Sequence, residues 1–199
     1  TPNSIEAALR IATPLLLAAL GGAFTHHAGI FNIALEGMML VGAFTAVTIS
    51  YFTSNWLFAV LAGILVGLLF GLLYGLFTVT LKADFIVTGV AINLLSLGMT
   101  TYLMRVIFHV KAGIQSTRIQ PLPDIQLLFL NHLGVLDTIL NNQSLFTYIS
   151  WLLVFLLWIA IYRMPFGLHL RAAGEHPEAL ETAGISVTKM RYLAAIVCG

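Results

Sequence analysis

The sequence predicts an all-α integral membrane protein, a polytopic bundle of transmembrane helices. Of its 199 residues, 59% are hydrophobic and only 9% are charged, and the mean hydropathy is +0.97, which lies well above the range of water-soluble domains. The apolar runs are long and continuous, whereas a membrane β-barrel shows short segments of alternating polarity. We therefore interpret residues 1–199 as one transmembrane domain. A new apolar run at its end favours a C-terminally incomplete chain.

Five apolar stretches are long enough to cross a bilayer, which requires about 20 residues per helix. They predict spans over residues 5–24, 33–52, 56–81, 85–108 and 145–162, with a sixth that begins near Tyr192. A polar, proline-containing stretch, residues 111–144, separates the fourth and fifth spans. Basic residues follow the third and fifth spans, so the positive-inside rule predicts a cytoplasmic loop at 163–191 and an extracytoplasmic loop region at 111–144.

The most informative stretch places an amide, Asn32, and a carboxylate, Glu36, inside apolar sequence. A charged side chain at membrane depth costs about 2.5–3.5 kcal/mol on insertion scales, so Glu36 is expected to face protein or water. Gly29 favours a broken helix near Gly29 to Glu36, and the spacing of four predicts that Asn32 and Glu36 share a helical face. Broken helices of transporters hold polar substrates, but Glu36 could equally pair with a neighbouring helix.

Four glycines recur every fourth residue along the third span: Gly63, Gly67, Gly71 and Gly75. Small residues on one face let another helix approach closely, so we interpret this ladder as a helix-packing surface. The alternative is that it lines a path or permits sliding between helices.

The fourth span carries a small and polar stripe, made of Gly89, Asn93, Ser96 and Thr100. At spacings of four, three and four, these residues share one face of a helix. The stripe could line a hydrophilic cavity. It could also form hydrogen bonds between helices.

A short helix is predicted in the loop after the fifth span. Pro177 suits a first helical position, Glu178 and Glu181 suit the positive end of the helix dipole, and Gly184 suits the C-terminal cap. We predict that this helix lies outside the bilayer. It is either a solvated loop helix or a docking element for a cytoplasmic partner.

Several functions are disfavoured. The adjacent residues His26 and His27 point in different directions on a helix, so we assign them to an interfacial loop and not to a metal site. The sequence lacks the motifs of zinc proteases, of hydrolase nucleophile elbows and of phosphate-binding loops, so we predict no catalytic residue, cofactor or bound metal. We expect no disulfide within the chain, because Cys198 is the single cysteine. We also expect no nucleic-acid binding, because the net charge is only +1.

Two of these stretches resemble one family, the permeases of bacterial ABC importers for branched-chain amino acids, ribose and nucleosides. G-I-F-N-I-A-L-E-G-M-M-L-V-G-A-F at residues 29–44 is similar to the signature of its nucleoside and simple-sugar branch, and the other branches typically differ at Glu36 and Gly37. F-G-L-H-L-R-A-A-G-E-H-P-E-A-L-E-T-A-G-I at residues 166–185 resembles its cytoplasmic coupling loop. The family usually has Glu-Arg where this chain has His26 and His27.

The resemblance implies a multi-pass permease domain of the bacterial plasma membrane, surrounded by lipid. It implies a second permease subunit, the same or related, a cytoplasmic ABC ATPase subunit and an extracytoplasmic substrate-binding lipoprotein. The substrate would be a nucleoside or simple sugar, and ATP would be hydrolysed by the partner. By position, the implied pathway residues are Asn32, Glu36, Gly89, Asn93 and Ser96, and the implied ATPase-coupling residues are Gly174, Glu175, Pro177, Glu178, Glu181, Ala183 and Gly184.

Two other functional classes fit the same residues. In an ion- or proton-coupled secondary transporter, Glu36 would be the coupling site and no ATPase would be needed. In a structural or assembly subunit, the glycine ladder and the buried polar groups would only pack the complex.

Overall fold

The structure is a computed structural model and describes residues 2–109, 124–125 and 143–199. Its helices and strands, in chain order, are α1 (Pro2–His27), α2 (Leu35–Thr53), α3 (Trp56–Gly75) with a π-helical extension (Leu76–Thr80), α4 (Phe85–Phe108), β1 (Asp124–Ile125), β2 (Gln143–Ser144), α5 (Leu145–Tyr162), α6 (Pro165–Glu175), α7 (Pro177–Thr182) and α8 (Val187–Cys198). β1 and β2 pair antiparallel, with Asp124 opposite Ser144.

The described part of the chain confirms the predicted fold class. Five of its helices, α1 to α5, are long and apolar enough to cross a membrane. The fourth and fifth predicted spans coincide with α4 and α5. Large apolar side chains such as Leu61, Leu65 and Leu69 on α3 are exposed, as expected for helices that contact lipid.

Two sequence-based predictions need correction. His26 and His27 form the last turn of α1 and do not lie in a loop. The helix that contains the sixth apolar run, α8, begins at Val187, about one turn before Tyr192. The hydroxyl of Ser186 sets this start, because it accepts a hydrogen bond from the Lys189 N–H and caps the helix. The predicted extracytoplasmic region, 111–144, falls mostly outside the described residues and remains a prediction.

Side-chain caps fix the starts of two of the long helices. The N–H groups of Ile86 and Val87 donate to Asp84 Oδ1 over 2.9 and 3.0 Å at the start of α4. The Leu57 N–H donates to Asn55 Oδ1 over 2.9 Å at the start of α3. These short polar side chains satisfy N–H groups that have no partner within the helix, so they define where each apolar run becomes helical.

The helices pack around two buried clusters. The end of α1, the end of α5 and helices α6 to α8 share one cluster, which includes Phe24, Leu170 and Met190. Helices α2, α3, α4 and α8 meet at a second cluster, around Tyr74 and Ile92. Helix α8 contributes to both and therefore joins the two halves of the described structure.

The glycine ladder of α3 lies against two other helices. A methyl group at Gly63 would lie 3.4 Å from the Gly42 carbonyl oxygen on α2. Gly67 and Gly71 contact the backbone of Gly199 and Ala195 at the end of the chain, and Gly75 lies under the Tyr192 ring. The missing side chains let α3 approach α8 at backbone distance.

We predict that Gly71→Ala destabilises the protein whereas Gly98→Ala does not. The new methyl group at residue 71 would overlap the Ala195 carbonyl oxygen, while one at residue 98 meets no atom within 4 Å. Overpacking costs about 1–3 kcal/mol, and alanine is otherwise better than glycine in a helix by about 1 kcal/mol.

Thermal unfolding of the purified full-length protein in detergent measures this difference. Gly98→Ala is the matched control, with an unchanged or higher Tm. An equal Tm for the two variants would contradict the packing role of Gly71.

Candidate functional site

The helix break predicted near Gly29 is present. Residues 28–34, which we call the connector, join α1 to α2 without helical structure. Gly29 has a φ of +77°, which favours glycine and turns the chain out of α1. The Ile30 N–H then donates to the Thr25 carbonyl over 2.9 Å, and Asn32 Oδ1 accepts from the Ala34 N–H over 2.9 Å.

Two side chains bind the backbone of the connector from other helices. On α4, Asn93 Nδ2 donates to the Ile33 carbonyl over 3.0 Å and Asn93 Oδ1 accepts from the Gly37 N–H over 2.8 Å. On α3, the Tyr74 hydroxyl donates to the Phe31 carbonyl over 2.8 Å, with the Tyr74 side chain completely buried. A non-helical backbone among membrane helices needs such partners, because no lipid group can supply them.

The small residues of the α4 stripe lie where α4 meets the connector and α2. A methyl group at Gly89 would come within 2.8 Å of Ile33 Cβ, and one at Gly37 within 2.7 Å of Ser96 Oγ. The Ser96 hydroxyl donates to the Ile92 carbonyl of its own helix over 2.7 Å. The stripe therefore forms a close helix contact, with Asn93 supplying its hydrogen bonds between elements.

The predicted shared helical face of Asn32 and Glu36 is wrong, because Asn32 lies in the connector and α2 begins at Leu35. Asn32 Nδ2 donates to Cys198 Sγ over 3.1 Å and contacts Met38 Sδ at 3.8 Å, so it faces α8. Glu36 lies in the first turn of α2 and is exposed. Its carboxylate suits the positive end of the α2 dipole.

A groove between α2 and α4 extends from the junction at Gly37. Its volume is about 360 Å³, and it is lined by Leu40, Ala43, Phe44, Val47, Leu97, Thr100, Thr101 and Met104. Glu36 lies one turn before Leu40 on α2, and Asn93 lies one turn before Leu97 on α4, so helical periodicity places both at the same end of the groove. The groove thus has mostly apolar walls, and Glu36 lies on α2 one turn before its first lining residue on that helix.

Helices α6 and α7 present the predicted coupling residues. Gly174 packs inward, since a methyl group there would come within 2.9 Å of the Gly29 nitrogen. Leu180 anchors α7 in the core, whereas Glu175, Glu178, Glu181, Ala183 and Gly184 are exposed and Pro177 is half-buried. Gly184 has a φ of +81° and ends α7 as predicted, with its N–H donating to the Glu181 carbonyl over 2.9 Å.

The two histidines at the end of α1 pack against aromatic rings. His26 contacts the Phe31 ring and His27 contacts the Tyr162 ring, at centroid distances of 6.5 and 6.0 Å. In residues 2–109, 124–125 and 143–199, no three His, Cys, Asp or Glu side chains converge as metal ligands would.

The amino-acid sequence matches a known protein family. Residues 4–199 match the protein family described as "Branched-chain amino acid transport system / permease component". The chain is 37% identical to the guanosine ABC transporter permease protein NupQ of Bacillus subtilis over 98% of its own length and 63% of that protein. The comparison with solved structures found no significant match.

Two further relatives carry related names. The nucleoside ABC transporter permease protein NupC of Lactococcus lactis is 33% identical over 94% of this chain and 60% of that protein. The putative glucose ABC transporter permease protein TsgC13 of Haloferax volcanii is 32% identical over 98% of this chain and 58% of that protein. The chain therefore spans about 60% of the length of these curated relatives.

We predict that Asn93→Leu lowers the stability of the folded protein by about 1–3 kcal/mol, the typical cost of leaving a buried polar group without its partner. The buried Gly37 N–H would lose its acceptor and the Ile33 carbonyl would lose its donor. Thr101→Leu, an exposed change on the same helix, is the control. The measurement is the Tm of both variants in thermal unfolding. An unchanged Tm for Asn93→Leu would refute the connector-binding role.

Proposed function

Since the chain belongs to the family of branched-chain amino acid transport system permease components, we propose that it forms part of the translocation pathway of an ABC importer for a nucleoside or simple sugar. The names of three relatives, which specify guanosine, nucleoside and glucose transport, support this substrate class. The family favours this proposal over a secondary transporter. The chain itself carries out no covalent chemistry.

The observation that carries the pathway proposal is the position of Glu36. Its carboxylate is exposed and has no hydrogen-bond or ion-pair partner in the part of the chain that the structure describes. A free carboxylate on a helix that crosses a membrane is costly against lipid. The side of α2 that carries Glu36 and the groove therefore faces water, substrate or another subunit in the assembled transporter.

The substrate chemistry agrees with this site. A nucleoside or sugar has hydroxyl groups that donate hydrogen bonds, and a carboxylate accepts them without any charge on the substrate. The groove volume of about 360 Å³ falls within the range of small-molecule sites. Mostly apolar walls that include Thr100 and Thr101 suit a ring that is apolar on its faces and polar at its edge.

We further propose the partners that such an importer requires. A second permease subunit, the same or related, would complete the pathway beside α2 and α4. A substrate-binding lipoprotein would deliver the substrate from outside the bacterial plasma membrane. A cytoplasmic ABC ATPase would dock on α7, whose exposed surface carries Glu178 and Glu181.

The pathway role predicts a transport defect for Glu36→Gln. We expect nucleoside uptake to fall about tenfold or more, because a hydrogen bond to a charged group contributes about 1.5–3 kcal/mol. Glu36→Asp, which keeps a carboxylate, should retain more activity. The measurement is uptake of labelled nucleoside by the complete transporter in proteoliposomes, with ATP inside and binding protein outside.

Two controls make this measurement decisive. Both variants must assemble with the ATPase in wild-type amounts, which separates a pathway defect from an assembly defect. Uptake that needs no ATP and is abolished by a protonophore would instead identify a secondary transporter. Full uptake by Glu36→Gln would remove Glu36 from the pathway.

The docking role predicts that reversing the charge of α7 releases the ATPase. The double variant Glu178→Lys/Glu181→Lys should lose the ATPase on purification in mild detergent, since both carboxylates are exposed and Leu180 still anchors the helix. Lys82→Glu is the control, a reversal of an exposed charge in the loop between the π-helical extension of α3 and α4. Retention of the ATPase by the double variant would place the docking surface elsewhere.

A further inference from the structure

Arg191 on α8 bridges two parts of the chain that the sequence analysis treated separately. Its Nε donates to the Ala28 carbonyl in the connector over 3.3 Å. Its Nη2 donates to the Ala173 carbonyl near the end of α6, also over 3.3 Å. One guanidinium group therefore binds both the helix break and the segment that leads into α7.

Both carbonyls lack a partner within their own helix. The fourth residue after Ala173 is Pro177, which has no N–H to donate. Ala28 lies one residue beyond the end of α1, where the chain turns away at Gly29. Each carbonyl lies at the negative end of a helix dipole, so a cation is favoured at both positions.

The backbones at this point touch directly. Gly174, the residue after Ala173, lies so close to Gly29 that a methyl group on Gly29 would come within 2.9 Å of Gly174 Cα. That same methyl group would lie 3.6 Å from Arg191 Nη2. The connector and α6 are therefore in backbone contact at the point where Arg191 binds both.

The guanidinium group of Arg191 binds the two backbone carbonyls and, among the described residues, no carboxylate. In the described part of the chain, no carboxylate forms an ion pair with it, and its side chain is half-buried. A lysine could not replace it fully, because an ammonium group lacks the rigid fork that reaches two acceptors at once.

We propose that Arg191 is a positioning residue that couples movement of the α6–α7 segment to the connector. Displacement of α7 by the ATPase would then move the connector, and with it the first turn of α2 that carries Glu36. This inference rests on the proposed function, since it assumes that α7 receives the movement.

The test compares Arg191→Met and Arg191→Lys with wild type in the reconstituted complete transporter. The readout is the number of nucleosides taken up per ATP hydrolysed, together with the amount of assembled complex. We expect Arg191→Met to hydrolyse ATP in the presence of binding protein and to lower this ratio about tenfold, within the range of known coupling between sites. Arg191→Lys should give an intermediate ratio.

Arg105→Met provides the matched control, since it removes an exposed arginine from α4 and should leave the ratio unchanged. A wild-type ratio in an assembled Arg191→Met complex would overturn the proposal. If Arg191→Met does not assemble, the number of nucleosides taken up per ATP hydrolysed is measured for Arg191→Lys, and a wild-type value there would overturn the proposal. A wild-type transporter without ATP-dependent uptake would refute the proposed function instead, so the two failures are distinguishable.

Discussion

The structure depends on satisfying the backbone of seven connector residues, 28–34, that are not helical and yet lie among apolar helices. Lipid offers no hydrogen-bond partner, so each such group needs one from protein. Three helices supply them through one side chain each: Tyr74 from α3, Asn93 from α4 and Arg191 from α8. The connector is therefore the point where these helices are held together.

Close approach makes these hydrogen bonds possible. Gly37 and Gly89 bring α2, α4 and the connector to backbone distance, and Gly29 with Gly174 does the same for α6. The ladder on α3 lets α8 approach, which brings Arg191 and Cys198 to the connector. Small residues thus decide which polar side chains can reach the break, so packing and hydrogen bonding stabilise the same arrangement.

Three polar side chains near the connector form hydrogen bonds within the part of the chain that the structure describes, and a fourth, Glu36, does not. Asn32, Asn93 and Ser96 are hydrogen-bonded within the described structure, whereas Glu36 is exposed in the first turn of α2, one turn before Leu40 in the wall of the α2–α4 groove. Of these four residues, Glu36 is thus the one left available for the proposed substrate contact. The contact between the connector and α6 adds a physical link from this region to α7, the helix proposed to receive the ATPase.

The sequence by itself determined the features that depend on local physics. Hydropathy defined the membrane helices, Gly29 marked a break in the helical backbone, Gly184 marked the end of α7, and the resemblance of two motifs indicated the family. Only the tertiary structure decided which way the polar side chains face: Asn32 turns to Cys198, 166 positions away, and Arg191 reaches Ala28, 163 positions away. Helical periodicity cannot predict such contacts, because they depend on how separate helices pack, and so the bridging role of Arg191 had no signal in the sequence.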